Sequence, residues 1–218
     1  MALKNLTTRT FLHTGILLVV LASLIVSPMS ALAMGNTDVE ALPDFSEFSK
    51  SVQNGRADHV RGVYVPNLLA LPVVQQPYGS AGFVSSEHDT ATQFRMAGNY
   101  GNVGLLAHNY LSGKSFFELK VGDEVRVVHG DGKVEVFIVA EVLKYQALQP
   151  HSPYSSFRNL DKEETLSAEA MFKRVYFGDR HVTFQTCIEK DGNLSWGRLF
   201  VIAIPKAEYD ELNPLNNR

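Results

Sequence analysis

The sequence predicts an all-β fold, a closed eight-stranded β-barrel with a few short helices. Three observations predict it. Apolar segments recur as about eight short runs bounded by Gly, Pro, Asn and Asp signals. Helix-like patterning is confined to brief stretches. Runs as apolar as 136–140 and 199–204 would invite aggregation at a free sheet edge, which favours a closed barrel over a sandwich. The chain has 218 residues, 45% hydrophobic and 20% charged, enough for one domain with a full core once a leader is set aside.

That leader is residues 1–33. Lys4 and Arg9 precede an apolar run from Phe11 to Val26, followed by Pro28 and Ala31-Leu32-Ala33, which fits a signal peptide cleaved after Ala33. The run is near the short limit for a membrane span, so an uncleaved N-terminal anchor is the alternative, and with it membrane association through this segment. Either way the protein is expected to be exported. Loss of the leader removes Lys4 and Arg9 and no acidic residue, so the formal charge of −3 becomes two units more negative. That excludes nucleic acid as an expected partner. The one cysteine cannot form an internal disulfide, which leaves an inert buried thiol or a reactive one. No Cys/His cluster of metal-ligand spacing occurs, and neither a metal nor a cofactor is expected.

Residues 34–59 are interrupted by Gly35, Asn36, Pro43, Asn54 and Gly55 and read as a linker with little structure, or as a lid folded back over a cleft. From Val60, short strands surround Val63, Val65, Leu69, Leu71 and Val73, with Pro66 and Pro72 at ends or edges. Thr90 to Ala97 reads as a short helix capped by Thr90 or Thr92. Val103 to His108 reads as a buried strand with the histidine at its mouth, and Phe116 to Leu119 as one helical turn. Glu124 to His129 alternates in polarity, Gly130-Asp131-Gly132 closes a hairpin, and Lys133 to Leu148 returns as a long central strand. Residues 149–180 form the longest connection, with a helix expected between Glu163 and Phe177 and ended by Gly178. His181 to Cys187 and Ser195 to Ile204 are the last two strands, Pro205 stops the sheet, and 207–218 reads as a frayed tail.

The last hairpin concentrates the chemistry. If Gly192-Asn193 form the turn, Cys187 faces Arg198 directly; if Asp191-Gly192 form it, Cys187 faces Trp196 and Arg198 is its diagonal neighbour. Both registers put thiol and guanidinium on one face, provided that no bulge breaks the parity. Cysteine attacks as the thiolate, and a free thiol, with a pKa of about 8.5, needs cationic neighbours to ionise at neutral pH. Arg198 is always charged, and its planar fork suits a carbonyl oxygen or the oxyanion that develops on it. The bland alternative is a surface arginine whose stem covers Trp196.

Acyl transfer also needs an acid to protonate a leaving amine. His181 shares the strand and face of Cys187, but six residues place it roughly 20 Å away. His129 and His151 lie beside a hairpin tip and in the long loop, and His59 and His88 in irregular segments. His108, at the end of a buried strand, remains as the candidate. Thr186 and Trp196, flanking the Cys187–Arg198 pair, are candidates for substrate contact.

Gly104-Leu105-Leu106-Ala107-His108-Asn109 and the following Phe116-Phe117-Glu118-Leu119-Lys120-Val121-Gly122-Asp123-Glu124-Val125 resemble the histidine segment of sortases. Thr183-Phe184-Gln185-Thr186-Cys187 is similar to their Thr-Leu-x-Thr-Cys motif, with Phe184 in place of leucine, and Gly197-Arg198-Leu199-Phe200-Val201 resembles their arginine strand. Ala107 stands where a glycine commonly precedes the histidine. The resemblance covers residues 60–206. It implies a sortase-like catalytic barrel with Cys187 as nucleophile, His108 as general acid and base, and Arg198 as stabiliser of the oxyanion. The implied partners are the sorting-signal peptide of exported proteins and an amine acceptor, from peptidoglycan or a protein lysine. The Asp-Pro-aromatic lid of pilus-building sortases is missing before residue 60.

Three functional readings stand at this point: a cysteine transpeptidase, a thiol endopeptidase that uses water as acceptor, and a catalytically silent envelope barrel that binds peptides. An L,D-transpeptidase is disfavoured, because a Ser-His-Gly-Cys context is absent around Cys187.

Overall fold

A computed structural model describes residues 42–214. The expected leader, and the part of the linker before residue 42, lie outside the described residues. Ten strands run in the order β1 Val60–Val65, β2 Leu69–Gln75, β3 Ala91–Phe94, β4 Val103–Leu106, β5 Glu124–His129, β6 Val134–Ala147, β7 Phe157–Asn159, β8 Thr165–Leu166, β9 Val182–Lys190 and β10 Asn193–Pro205. The helices are α1 Phe45–Val52, α2 Arg95–Gly98, α3 Ala168–Tyr176 and α4 Lys206–Leu212, with a 3-10 turn at Ser112–Glu118.

Eight strands pair in the order β10-β9-β4-β3-β2-β1-β5-β6, and β6 pairs back onto β10, so the barrel closes as expected. Closure leaves the apolar strands β6 and β10 no free edge. The remaining two strands, β7 and β8, form a small extension beside β6. Alternate residues fill the interior: Val103, Leu105 and Ala107 from the β4 segment, Val182 and Phe184 from β9, and Leu199, Val201 and Ala203 from β10. By the same alternation Leu106, Gln185 and Phe200 face outward. A second apolar cluster covers part of that outer face, where Met171, Val175 and Tyr176 of α3 meet Leu143, Tyr145, Phe200 and Ile202.

Three expectations change. The stretch before Val60 contains a helix: Asp44 caps α1 by accepting a hydrogen bond from the Ser46 amide at 2.8 Å, and Phe48 and Val52 bury themselves against Tyr64 and Val128. Gly62 makes room, since a Cβ there would stand 2.9 Å from both Phe48 and Val52. The helix expected over Thr90–Ala97 is instead β3 followed by the single turn α2. Ala91 and Thr92 are fully buried in a strand pairing with both β2 and β4, and that pairing outweighs the capping signal. The tail is helical in α4, supported by a Lys206–Asp210 pair at 3.5 Å.

In the long connection, α3 starts later than Glu163. Ser167 caps it by accepting from the Ala170 amide at 3.2 Å, and the residues before it build the β7–β8 hairpin.

Candidate active site

Three neighbouring strands, β4, β9 and β10, carry the predicted residues. Strands β4 and β9 are parallel, with Val103 opposite Val182, Gly104 opposite Thr183, Leu105 opposite Phe184 and Leu106 opposite Gln185. The last ladder bond is the Ala107 amide donating to the Gln185 carbonyl at 3.3 Å, which closes the Leu106–Gln185 pair. Extended two residues beyond that last pair, the same stagger would set His108 level with Cys187. On the other side, Cys187 is the direct partner of Arg198 in the antiparallel β9–β10 pair. His108, Cys187 and Arg198 therefore follow in that order across three neighbouring strands, with Cys187 and Arg198 on the outward parity of the barrel wall and His108 two residues past the end of β4. All three are half-buried.

The hairpin reaches this arrangement by an unexpected route. Asp191 and Gly192 have φ of 54° and 78°, the left-handed pair that a type I′ turn requires, and Lys190 pairs with Asn193. Continued without a break, that register would set Cys187 opposite Trp196. A shift between Asn193 and Gly197 changes it: one residue of β9, Glu189, lies against three of β10, Leu194, Ser195 and Trp196. The two extra residues preserve the facing parity and move Cys187 onto Arg198. The Asn193 side chain supports the fold-out by accepting the Ser195 amide at 3.0 Å. Gly197 then crosses β6 closely, where a Cβ would lie 2.5 Å from the Tyr145 carbonyl oxygen.

Arg198 is held by this fold-out. Its Nη1 donates to the carbonyls of Ser195 at 3.0 Å and Gly197 at 2.8 Å. Among the described residues the guanidinium makes no other hydrogen bond, so Nε and Nη2 remain as donors for an incoming oxygen. The backbone of His108 is fixed from below. Its carbonyl accepts the amides of Leu111 at 2.9 Å and Gly113 at 3.0 Å. Gly113 has no space for a side chain, since a Cβ would stand 2.4 Å from the Thr186 hydroxyl and 2.7 Å from the His108 carbonyl. The imidazole ring stacks on Tyr110, with centroids 5.0 Å apart and planes at 17°.

Thr186, expected to touch substrate, is only 2% exposed and donates its hydroxyl to the Ala107 carbonyl at 2.8 Å. It ties β9 to the β4 segment from inside the wall, with its hydroxyl already engaged. Trp196 lies half-buried in the fold-out, with the Lys190 ammonium 4.9 Å from its ring centroid. His181 is a core residue, with its ring nitrogens 2.7 Å and 3.0 Å from the carbonyls of Asp179 and Val175. His129 pairs with Glu135 at 2.6 Å. Asn109 and Tyr110 belong to the site's surroundings although neither was singled out for a role of its own; adjacency to His108 was the only signal.

The set can support thiol chemistry on a carbonyl: a sulfur nucleophile, an imidazole at the end of the adjacent strand to carry a proton, and a cation with two free donors for the oxygen. Among the described residues no three His, Cys, Asp or Glu side chains converge as metal ligands would.

No protein-family model matches the chain, and no curated protein matches it by sequence. Solved structures similar to it include sortase A of Listeria monocytogenes, at 16% identity over 71% of this chain and 97% of that one, with a TM-score of 0.42. A Clostridium perfringens sortase D5 transpeptidase is similar at 13% identity over 73% and 87%, with a TM-score of 0.43. Sortase C-1 from Actinomyces oris is similar at 13% identity over 75% and 81%, with a TM-score of 0.45.

Proposed function

We propose that the chain is a sortase-type cysteine transpeptidase acting outside the cytoplasm, with its leader as signal peptide or anchor. The substrate is a C-terminal sorting signal of exported proteins, and the acceptor is an amine from peptidoglycan or a protein lysine. The observation that supports this most directly is the succession of His108, Cys187 and Arg198 across neighbouring strands. In this reading the Cys187 thiolate attacks the scissile carbonyl and a C–S bond forms. Negative charge gathers on the carbonyl oxygen, beside the free Nε and Nη2 donors of Arg198. As the C–N bond breaks, the His108 imidazolium gives its proton to the departing amine. An acceptor amine then attacks the thioester, its proton passes to His108, and the thiolate leaves.

Because all three side chains are half-buried, water also reaches the thioester, and an endopeptidase outcome differs only in the acceptor. The test uses a panel of Leu-Pro-x-Thr-Gly-like peptides with and without added hydroxylamine or an oligoglycine amine. A thioester adduct on Cys187 by mass spectrometry, converted to the amine product, is the expected result. Free acid alone, unaffected by amine, establishes the endopeptidase. Neither adduct nor cleavage, with Cys187 still alkylated by iodoacetamide, sinks the sorting-signal assignment.

A further inference from the structure

The strand fold-out at Leu194–Trp196 is engaged from two sides. From one side Arg198 binds the carbonyls of Ser195 and Gly197. From the other, the Asn109 side-chain amide donates to the Leu194 carbonyl at 3.0 Å, a contact between residues 85 positions apart. Asn109 directly follows His108, whose carbonyl is fixed by Leu111 and Gly113 and whose ring stacks on Tyr110. One hydrogen bond, from Asn109 to Leu194, thus joins the segment bearing the imidazole to the fold-out, and two more, from Arg198 to Ser195 and Gly197, tie the guanidinium to the same fold-out.

We propose that Asn109 is a positioning residue, and that with the Leu194–Trp196 fold-out it sets the spacing between His108 and Arg198. The proposal rests on the transpeptidase reading for its kinetic consequence, but not for its structural one. The two extra residues of β10 bring Arg198 opposite Cys187, and the same shift leaves Leu194, whose carbonyl Asn109 holds, without a paired residue on β9. A side-chain donor at position 109 therefore reports to both His108 and Arg198. The fold-out is at the surface, with Leu194 46% exposed, so few packing contacts back up this hydrogen bond.

Asn109→Asp keeps the side-chain shape and replaces the donor by an acceptor facing a carbonyl, whereas Asn109→Gln keeps the donor. NMR of the full chain, free of any peptide, reads the brace. Asn109→Asp is expected to shift the Arg198 Nε–H and the His108 ring signals and to speed exchange of the 194–196 amides about tenfold, and Asn109→Gln to restore them in part. Unchanged signals in Asn109→Asp overturn the brace, even if the wild type cleaves no peptide. If the wild type does turn over, Asn109→Asp is expected to lower kcat about tenfold with KM for the donor peptide within a factor of two. Its effect and that of Arg198→Lys are expected to combine to less than their product. A wild-type kcat in Asn109→Asp, or full multiplicativity with Arg198→Lys, overturns the positioning role. Absence of wild-type turnover counts against the transpeptidase reading alone.

Discussion

Thr186 Oγ1 donates to the Ala107 carbonyl at 2.8 Å, one residue before Cys187 on one strand and one residue before His108 on its neighbour. Thr186 is 2% exposed, so its hydroxyl has no water to turn to, and removing it strands a carbonyl in the same dry place. Thr186→Val preserves shape and β-branching and deletes only that bond. It is expected to cost about 1–2 kcal/mol by urea unfolding. Thr186→Ser, which keeps the hydroxyl, is expected to recover most of the loss. Equal stability of the valine and wild-type proteins would show that the bond contributes nothing.

Gly113 sits beneath the same junction. A methyl group there must displace the Thr186 hydroxyl at 2.4 Å and two carbonyl oxygens at 2.7 Å and 2.8 Å, and both carbonyls belong to backbone that cannot rotate away. Gly113→Ala is expected to destabilise by about 2–3 kcal/mol, against a gain of under 1 kcal/mol from the less flexible unfolded chain. Because the displaced carbonyls are those of Ala107 and His108, the His108 ring signal should move with the loss of stability. Gly122 is the control, since its φ of 98° penalises alanine with no neighbour within 4 Å, and His108 there should be undisturbed.

Arg198 separates charge from geometry. Lysine at this position retains a cation beside Cys187 but lacks the fork that holds two carbonyls with one nitrogen and leaves two others free. In the transpeptidase reading Arg198→Lys is expected to lower kcat about 10²-fold while the rate of Cys187 alkylation changes by less than tenfold. Cys187→Ala abolishes both. A lysine variant with wild-type kcat would mean that only the charge matters.

How much of this was legible in the sequence depends on the range of the interaction. The β5–β6 hairpin was readable because Gly130-Asp131-Gly132 and strict alternation are local signals, and the observed strands fall within two residues of those expected. The facing of Cys187 and Arg198 was readable as parity, yet the route was not: the turn is at Asp191-Gly192, and two residues fold out to restore the other register. A bulge has no periodicity of its own. The placement of the His108 segment beside the strand of Cys187 depends on parallel pairing of segments 79 residues apart, which no local pattern specifies. Helix α1 was missed because two buried residues, Phe48 and Val52, one turn apart are too few to stand out in eight. Thr186 sits beside the thiol in sequence, and only the barrel's inside–outside alternation shows that its side chain is buried in the wall, bonded to the Ala107 carbonyl.

The far end of the barrel predicts an acid-sensitive stability. Burial raises the Glu135 carboxyl's pKa, but hydrogen bonding and charge from Arg180, with smaller help from His129 and Lys133, more than offset this and hold it below its ordinary value of 4.5. Arg180 contacts both carboxylate oxygens, at 3.0 Å and 3.2 Å, and links the start of β9 to β6. A depressed carboxyl stabilises the fold at pH values above the unfolded pKa, and that contribution fades as pH falls through the folded one. Urea unfolding at pH 7 and pH 3 should therefore show Glu135→Gln less stable than wild type by about 1 kcal/mol at pH 7, with the gap closing at pH 3. A gap that is the same at both pH values would mean that the pair acts through shape and not through its charge.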